Sequence, residues 1–311
     1  MTIVIGIKDN TSLGVSIFRL LLRERPMPVE DEHIMEAVGK SRVRIRKGKV
    51  VEVGEPVIEE CPLAKKFSKP VISFDKESIK ANMEERIRRD GMFTRSRKVL
   101  SEEDFVPFGA SEMLATGLRA GILDAAVIAS DGAGTVVATN PALVQGIGGS
   151  MSGLIKTSPL KEVIERIEAN GGHVLDPERA TMDQVKGAAL ARKLGHTRIA
   201  ITVALAQDAR RIRKKDPDAL LIGVHLTGIS QKDAEMMVEN ADVVSGCASK
   251  WIREVAGKVA LLQAGTTVPV FALTQRGKIF IIEKLKETQA RLMVKVEHLP
   301  AKGEKEPKPL V

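Results

Sequence analysis

Tyrosine is absent from the 311 residues and tryptophan occurs once, so the aromatic platforms on which single-stranded nucleic acid stacks are scarce. Cysteine is nearly absent too. Cys61 and Cys247 are too few for the disulfide framework of a small secreted scaffold, and two thiolates alone do not complete a four-ligand metal site. No run approaches the roughly 20 apolar residues of a membrane-crossing helix. The strongly apolar stretches, such as Ala125 to Ala129, have the length of a strand. Met1 to Ile7 lacks a basic leader, and Lys8 and Asp9 arrive too early for a signal peptide, which predicts a soluble protein kept in the cytoplasm.

What is present points to a folded chain. Hydrophobic residues make up 43% and charged residues 28%, enough apolar material for a buried core without staples. Lysine and arginine number 48 against 40 acidic residues, a formal charge of +8. That excess favours anionic partners without separating nucleic acid from a phosphorylated cofactor. The supply of Lys, Arg, Glu, Ile and Val leans toward a thermophile.

Periodicity supplies the architecture. Residues 2–7 read as a strand and 13–25 as a short amphipathic helix stopped by Pro26 and Pro28, followed by a helical stretch over 30–38. Arg42, Arg44 and Arg46 alternate with Val43 and Ile45, a strand that turns at Lys47-Gly48 into residues 50–53. A helix is predicted over 76–89, ended by Asp90-Gly91, and another after Gly109. Strand-sized apolar runs over 125–129, 198–204, 220–226, 242–245, 259–262 and 268–273 then alternate with helices over 160–169, 181–194, 206–215, 231–239 and 249–255. Continuous apolar strands between helices predict a mostly parallel sheet covered on both faces, a doubly wound, Rossmann-like α/β fold, with a distorted barrel as the alternative. The expected division is a small α+β region with a basic hairpin over 1–105, a main ligand-binding α/β domain over 106–290, and a flexible Lys/Glu/Pro tail over 291–311.

Parallel sheets bind ligands at the carboxyl ends of their strands, which directs attention to the segments that follow them. Ser130-Asp131-Gly132-Ala133-Gly134-Thr135 sets a carboxylate, glycines and a hydroxyl at one strand end, where Asp131 could take a proton, a cation or a ribose hydroxyl. Gln145, Gly146, Gly148, Gly149, Ser150, Ser152 and Gly153 follow, four glycines in eight residues. This segment is either an anion cradle or a turn that lets elements cross closely. It is not a Walker A loop, since no Gly-Lys-Ser/Thr follows it.

His225 and Thr227 fall on the same side of the next strand end, where a histidine can act as acid, base or ligand, or simply brace the sheet rim. Cys247 precedes a helix N-terminus, an arrangement that favours a thiolate, and the alternative is a small buried hydrophobe. Asp131, His225 and Cys247 are therefore the candidate catalytic set. A weaker alternative is a metal or iron–sulfur site drawn from Cys61, Cys247 and His225.

Basic groups cluster at Arg86, Arg88, Arg89, Arg95, Arg97 and Lys98, and again at Arg210, Arg211, Arg213, Lys214 and Lys215; each cluster reads first as a solvated face. Arg42, Arg44 and Arg46 are more suggestive, because like charges on one strand face repel unless an anion or acidic side chains meet them.

Several of these segments together resemble the archaeal family called methanogenesis marker protein 8. They are residues 50–56, Cys61-Pro62-Leu63, Asp90-Gly91-Met92-Phe93-Thr94, residues 108–112, residues 131–135, residues 140–149, His225-Leu226-Thr227-Gly228-Ile229 and Cys247-Ala248-Ser249-Lys250. The resemblance spans roughly 30–285. It implies a link to methane metabolism and an accessory role in making or activating its enzymes or cofactors, and it carries no reaction, cofactor or catalytic residue with it. The expected ligand is an anionic small molecule or coenzyme, with a protein partner in methane metabolism and a homo-oligomer as further possibilities. Neither a membrane nor nucleic acid is expected as a partner. The competing functions are an enzyme or cofactor-handling factor and a noncatalytic docking factor that uses the basic hairpin.

Overall fold

The computed structural model describes residues 31–289, 291, 292, 296 and 298–311. The strand expected over 2–7 and the helix over 13–25 lie outside them.

A smaller sheet is built from β1 (Glu32–Glu36), β2 (Arg42–Arg46), β3 (Lys49–Val53) and β6 (Gly153–Lys156), antiparallel throughout in the order β3-β2-β1-β6. Residues 32–36 were expected as helix and are a strand. Pairing on both sides, to β2 and to β6, satisfies their backbone groups and overrides a local helical tendency. The basic hairpin is present as predicted, with Lys47 and Gly48 both at positive φ, the two-residue turn whose twist matches that of paired strands. Helix α1 (Lys76–Asp90) is capped by the Asp75 carboxylate and stopped by Gly91 at φ 66°. Its Ile79 and Met83 pack with Met35, Val43 and Ile45 in the core of this region.

The larger sheet has eight strands: β4 (Ala125–Ser130), β5 (Gly134–Ala138), β7 (Gly172–Val174), β8 (Ile199–Val203), β9 (Leu220–Gly223), β10 (Val243–Ser245), β11 (Leu262–Ala264) and β12 (Val270–Ala272). Their order is β11-β12-β10-β9-β8-β4-β5-β7. The centre, β10-β9-β8-β4, is parallel, and the pairings outside it are antiparallel. One face is covered by α2 (Ala110–Arg119), α3 (Pro141–Gly148), α4 (Lys161–Ala169) and α9 (Gln275–Glu287), through Leu114, Leu143, Ile147, Ile167 and Phe280. The other is covered by α5 (Gln184–Lys193), α6 (Ala206–Lys215), α7 (Gln231–Asn240) and α8 (Lys250–Val259), through Ala188, Ile212, Met237 and Ile252. The result is the doubly wound α/β sandwich, preceded by a smaller antiparallel region.

Four details add to or differ from the periodicity reading. Residues 134–138 and 172–174 are strands beyond those expected, and Val259 closes α8 instead of opening a strand. Residues 141–148 are a helix whose N-terminus is capped by the Asn140 side chain. In the segment expected as a mobile tail, Lys308 pairs with Glu60, the Val311 amide donates to Ala248, and the Val311 carbonyl accepts from Lys250 at 2.9 Å.

Candidate functional site

Because β4, β8, β9 and β10 run parallel, their carboxyl ends share one edge, and the small sheet meets the large one there. Two residues past β9 the backbone of His225 turns left-handed, φ 58°, an uncommon conformation for a residue with a Cβ and one found at functional sites. The ring is then presented to β1, where its Nε2 pairs with the Glu36 carboxylate. Both side chains are about a quarter exposed. The Glu36 carboxyl is partly buried, which works against its charge, but the hydrogen bond and charge of His225, with Lys40 and Arg42 nearby, hold it below the usual carboxylate range. An ionised Glu36 accepts, so Nε2 carries a proton; in the neutral ring Nδ1 then holds the lone pair, and it has no partner among the described residues. Gly153 on β6 makes room for the ring: a Cβ there would lie 2.0 Å from Nε2. Lys40 reaches the Thr227 carbonyl from the same side.

Cys247 follows β10, the strand next to β9, again with positive φ, and two residues later Ser249 caps α8. Its carbonyl accepts from Arg253 at 2.9 and 2.6 Å. Cys61 lies within electrostatic reach of Cys247; burial first, and the Cys247 sulfur second, push the Cys61 thiol up to about 11. The structure thus gathers His225, Glu36 and Lys40 at the end of β9, and Cys247 with Cys61 at the end of β10. It does not assemble the expected metal set, for among the described residues no three His, Cys, Asp or Glu side chains come together as metal ligands.

Asp131 is engaged differently. It is fully buried, and its carboxylate accepts from Arg97 Nε at 2.9 Å and from the Phe93 amide at 2.6 Å. Arg97 continues to the Lys98 and Gly146 carbonyls. Strand β8 lies between β4 and β9, so the ends carrying Asp131 and His225 are two strand spacings, about 10 Å, apart. Asp131 anchors the 91–97 loop, holding the buried Phe93 at φ 59°, and does not converge with His225 and Cys247.

The glycine segment is also committed. Gly134 and Thr135 belong to β5, and a Cβ on Gly134 would lie 2.2 Å from the Ala180 carbonyl. Gln145, Gly146 and Gly148 are helical, the Gly149 amide donates to Gln145, and the Gly132 amide donates to Thr157. Ser150, at φ 57°, gives its carbonyl to Arg86, while Ser152 stays exposed. Amides used this way do not form a cradle; the glycines let elements cross closely.

Sequence reasoning missed His33. It is buried in β1, its Nε2 against Asp31 at 2.9 Å and its Nδ1 against Thr157 at 2.8 Å. Burial holds the imidazole below its ordinary range despite Asp31 and Asp131 nearby. Reading residues 30–38 as helix hid the strand that, paired on both sides, buries it. Nearby a cleft of about 500 Å³ opens, lined by Asp31, Lys47, Phe93, Thr94, Arg95 and Leu160 among others.

Two arginines of the basic strand meet acidic side chains, while Arg42 is exposed. Arg46 pairs with Glu32 at 2.6 Å, Arg44 with Glu52 at 3.0 Å, and Lys156 also reaches Glu32 at 2.8 Å. Lys156 and then Arg46 draw the Glu32 carboxyl down to about 2. A depressed carboxylate adds stability above its unfolded value, lost as the pH falls through the folded one. Urea midpoints are therefore expected to drop from pH 5 to pH 2.5, with a shallower drop in Glu32→Gln; identical slopes in the two proteins would contradict this pairing.

The family model described as an uncharacterized protein conserved in archaea matches residues 33–286. The chain belongs to this family. It is 44% identical over 285 residues to an uncharacterized protein, MJ0054, of Methanocaldococcus jannaschii, a match that covers 90% of this chain and all of that protein. No solved structure matches. No helix among the described residues is long and apolar enough to cross a membrane.

Proposed function

We propose that this family member binds an anionic small molecule or coenzyme at the carboxyl ends of β9 and β10, and that His225 accepts a proton there through Nδ1. The observation that carries the reading is the His225–Glu36 pair. A carboxylate from one sheet pairs with Nε2 of an imidazole on the other, and the ring, about a quarter exposed, sits in a left-handed turn at a parallel strand end with no described partner on Nδ1. Lys40 supplies positive charge beside it. The resemblance to methanogenesis marker protein 8, together with the Methanocaldococcus relative, supports a setting in methane metabolism. The alternative, a docking role for the basic strand, is less favoured, because Arg44 and Arg46 are met by Glu32 and Glu52 and only Arg42 is left exposed.

The test is native mass spectrometry of protein purified anaerobically from an archaeal host, with metal analysis of the same sample. One anionic adduct per chain is expected in the wild type, and its occupancy should fall at least tenfold in His225→Asn at an unchanged melting temperature. Equal occupancy in both proteins would remove His225 from the site. A bare mass, with no thermal shift from the host's small-molecule extract, would overturn the binding reading itself.

A further inference from the structure

Helix α1 carries a guanidinium that the fold leaves unsatisfied. Arg86 is 1% exposed. One nitrogen, Nη2, donates to the Ser150 carbonyl, and the group lies 5.1 Å over the Phe67 ring. Nε and Nη1 are buried with no partner, three N–H donors in all. Buried donors are nearly always met, by protein, water or ligand, and a buried charge is met by an opposite charge or destabilises the fold.

The neighbouring carboxylates do not meet this charge. Asp90 gives both oxygens to Arg89, at 2.8 and 2.6 Å, and Asp131 is taken by Arg97 and the Phe93 amide. Three guanidinium groups, Arg86, Arg89 and Arg97, thus share two carboxylates, one positive charge in excess. Burial, then Arg97, lower the Arg86 group to about 10, which still leaves it charged at neutral pH.

The surroundings form a closed circuit of contacts. Arg86 lies on Phe67, which packs on Phe105 at 4.8 Å. The Phe105 amide donates to Glu112, and Glu112 accepts from Gln145. The Gly149 amide donates to the Gln145 carbonyl, and the next residue, Ser150, returns to Arg86. Gln145 also has a buried, unpartnered atom, its Oε1 acceptor. Its Nε2 donates to the Glu103 carbonyl and to Glu112, so the amide orientation is set. The circuit therefore carries unmet donors on Arg86, the Glu112 carboxylate held by its own donors, and one unmet acceptor on Gln145.

We propose that Arg86 anchors a buried site for a small oxyanion bearing an O–H group, hydrogen phosphate or a hydroxycarboxylate, apart from the His225 crevice. The anion oxygens accept from Nε and Nη1, and its O–H donates to Gln145. The cover over the site is irregular chain: residues 61–75, a short 3-10 turn flanked by bends, and the loop at 149–152, which can part without breaking either sheet.

The experiment is thermal unfolding of the full chain, titrated separately with inorganic phosphate, glycolate, acetate and chloride at fixed ionic strength. A saturable upward shift with phosphate or glycolate is expected, at least tenfold weaker in Arg86→Lys and absent in Arg86→Met. Whichever of the two anions saturates identifies the class. If Arg86→Met fails to fold, Gln145→Leu and the phosphorus NMR signal of bound phosphate on wild-type protein take its place. An equal shift in wild type and variants overturns the proposal. So does a wild type that shows neither a saturable shift nor a bound signal, since ordered water then meets the Arg86 donors.

Discussion

Asp131→Ala is expected to lower unfolding free energy by about 3–5 kcal/mol, the range for removing one partner of a buried ion pair. The size comes from what is left behind. Arg97 is 3% exposed and would keep a buried charge facing an empty position, while the Phe93 amide would lose its acceptor. Phe93 itself sits fully buried at positive φ, a conformation that persists only when its surroundings impose it, and the Asp131 carboxylate is one of the groups that do so. Asp131→Asn keeps an acceptor of the same shape and should lose less. Urea denaturation of the two variants measures the difference. A loss below about 1 kcal/mol in the alanine variant would show that the pair is not an anchor, and would return Asp131 to the list of groups free for chemistry.

The second large effect is Gly146→Ala. In a helix interior, alanine is ordinarily better than glycine by roughly 1 kcal/mol. Here a Cβ would stand 2.0 Å from the Val99 carbonyl oxygen and 2.4 Å from its carbon, and the obstacle is main chain, which does not rotate away. The Gly146 carbonyl also receives Arg97 at 3.0 Å, so a shifted helix would loosen the Asp131 anchor as well. A net loss of about 1–3 kcal/mol is expected. Gly148→Ala is the control, because the nearest atom to its added carbon is the Ser111 Cβ at 3.1 Å, a contact relieved by a far smaller shift than the 2.0 Å clash at Gly146. Equal and small effects at both positions would mean that Gly146 is not there for close packing.

These two residues also mark how far the sequence could be read. Asp131 at a strand end and glycines just after it have the composition of a ligand loop, and the strand end was located correctly. Whether the carboxylate stays free depended on Arg97, thirty-four residues earlier in the chain, and nothing local announces that pairing. Likewise, a stretch rich in glycine gives the same text whether its backbone cradles an anion or lies against Val99. His225 was legible as a strand-end histidine, but its partner Glu36 was not, because residues 30–38 carry a helical pattern that only pairing with β2 and β6 overrides. Arg86 and Arg97 read as part of a solvated basic face and are buried.

By itself, then, the sequence determined the parallel βα core, the succession of its central strands and helices along the chain, the basic hairpin, and the positions of strand ends where chemistry could occur. Those follow from hydrophobic period and turn residues, which act over a few neighbours along the chain. The tertiary structure decided which charged and polar groups at those ends are satisfied and which are left over. That balance separates His225 and Arg86 from Asp131, and it depends on burial and on partners brought from distant segments.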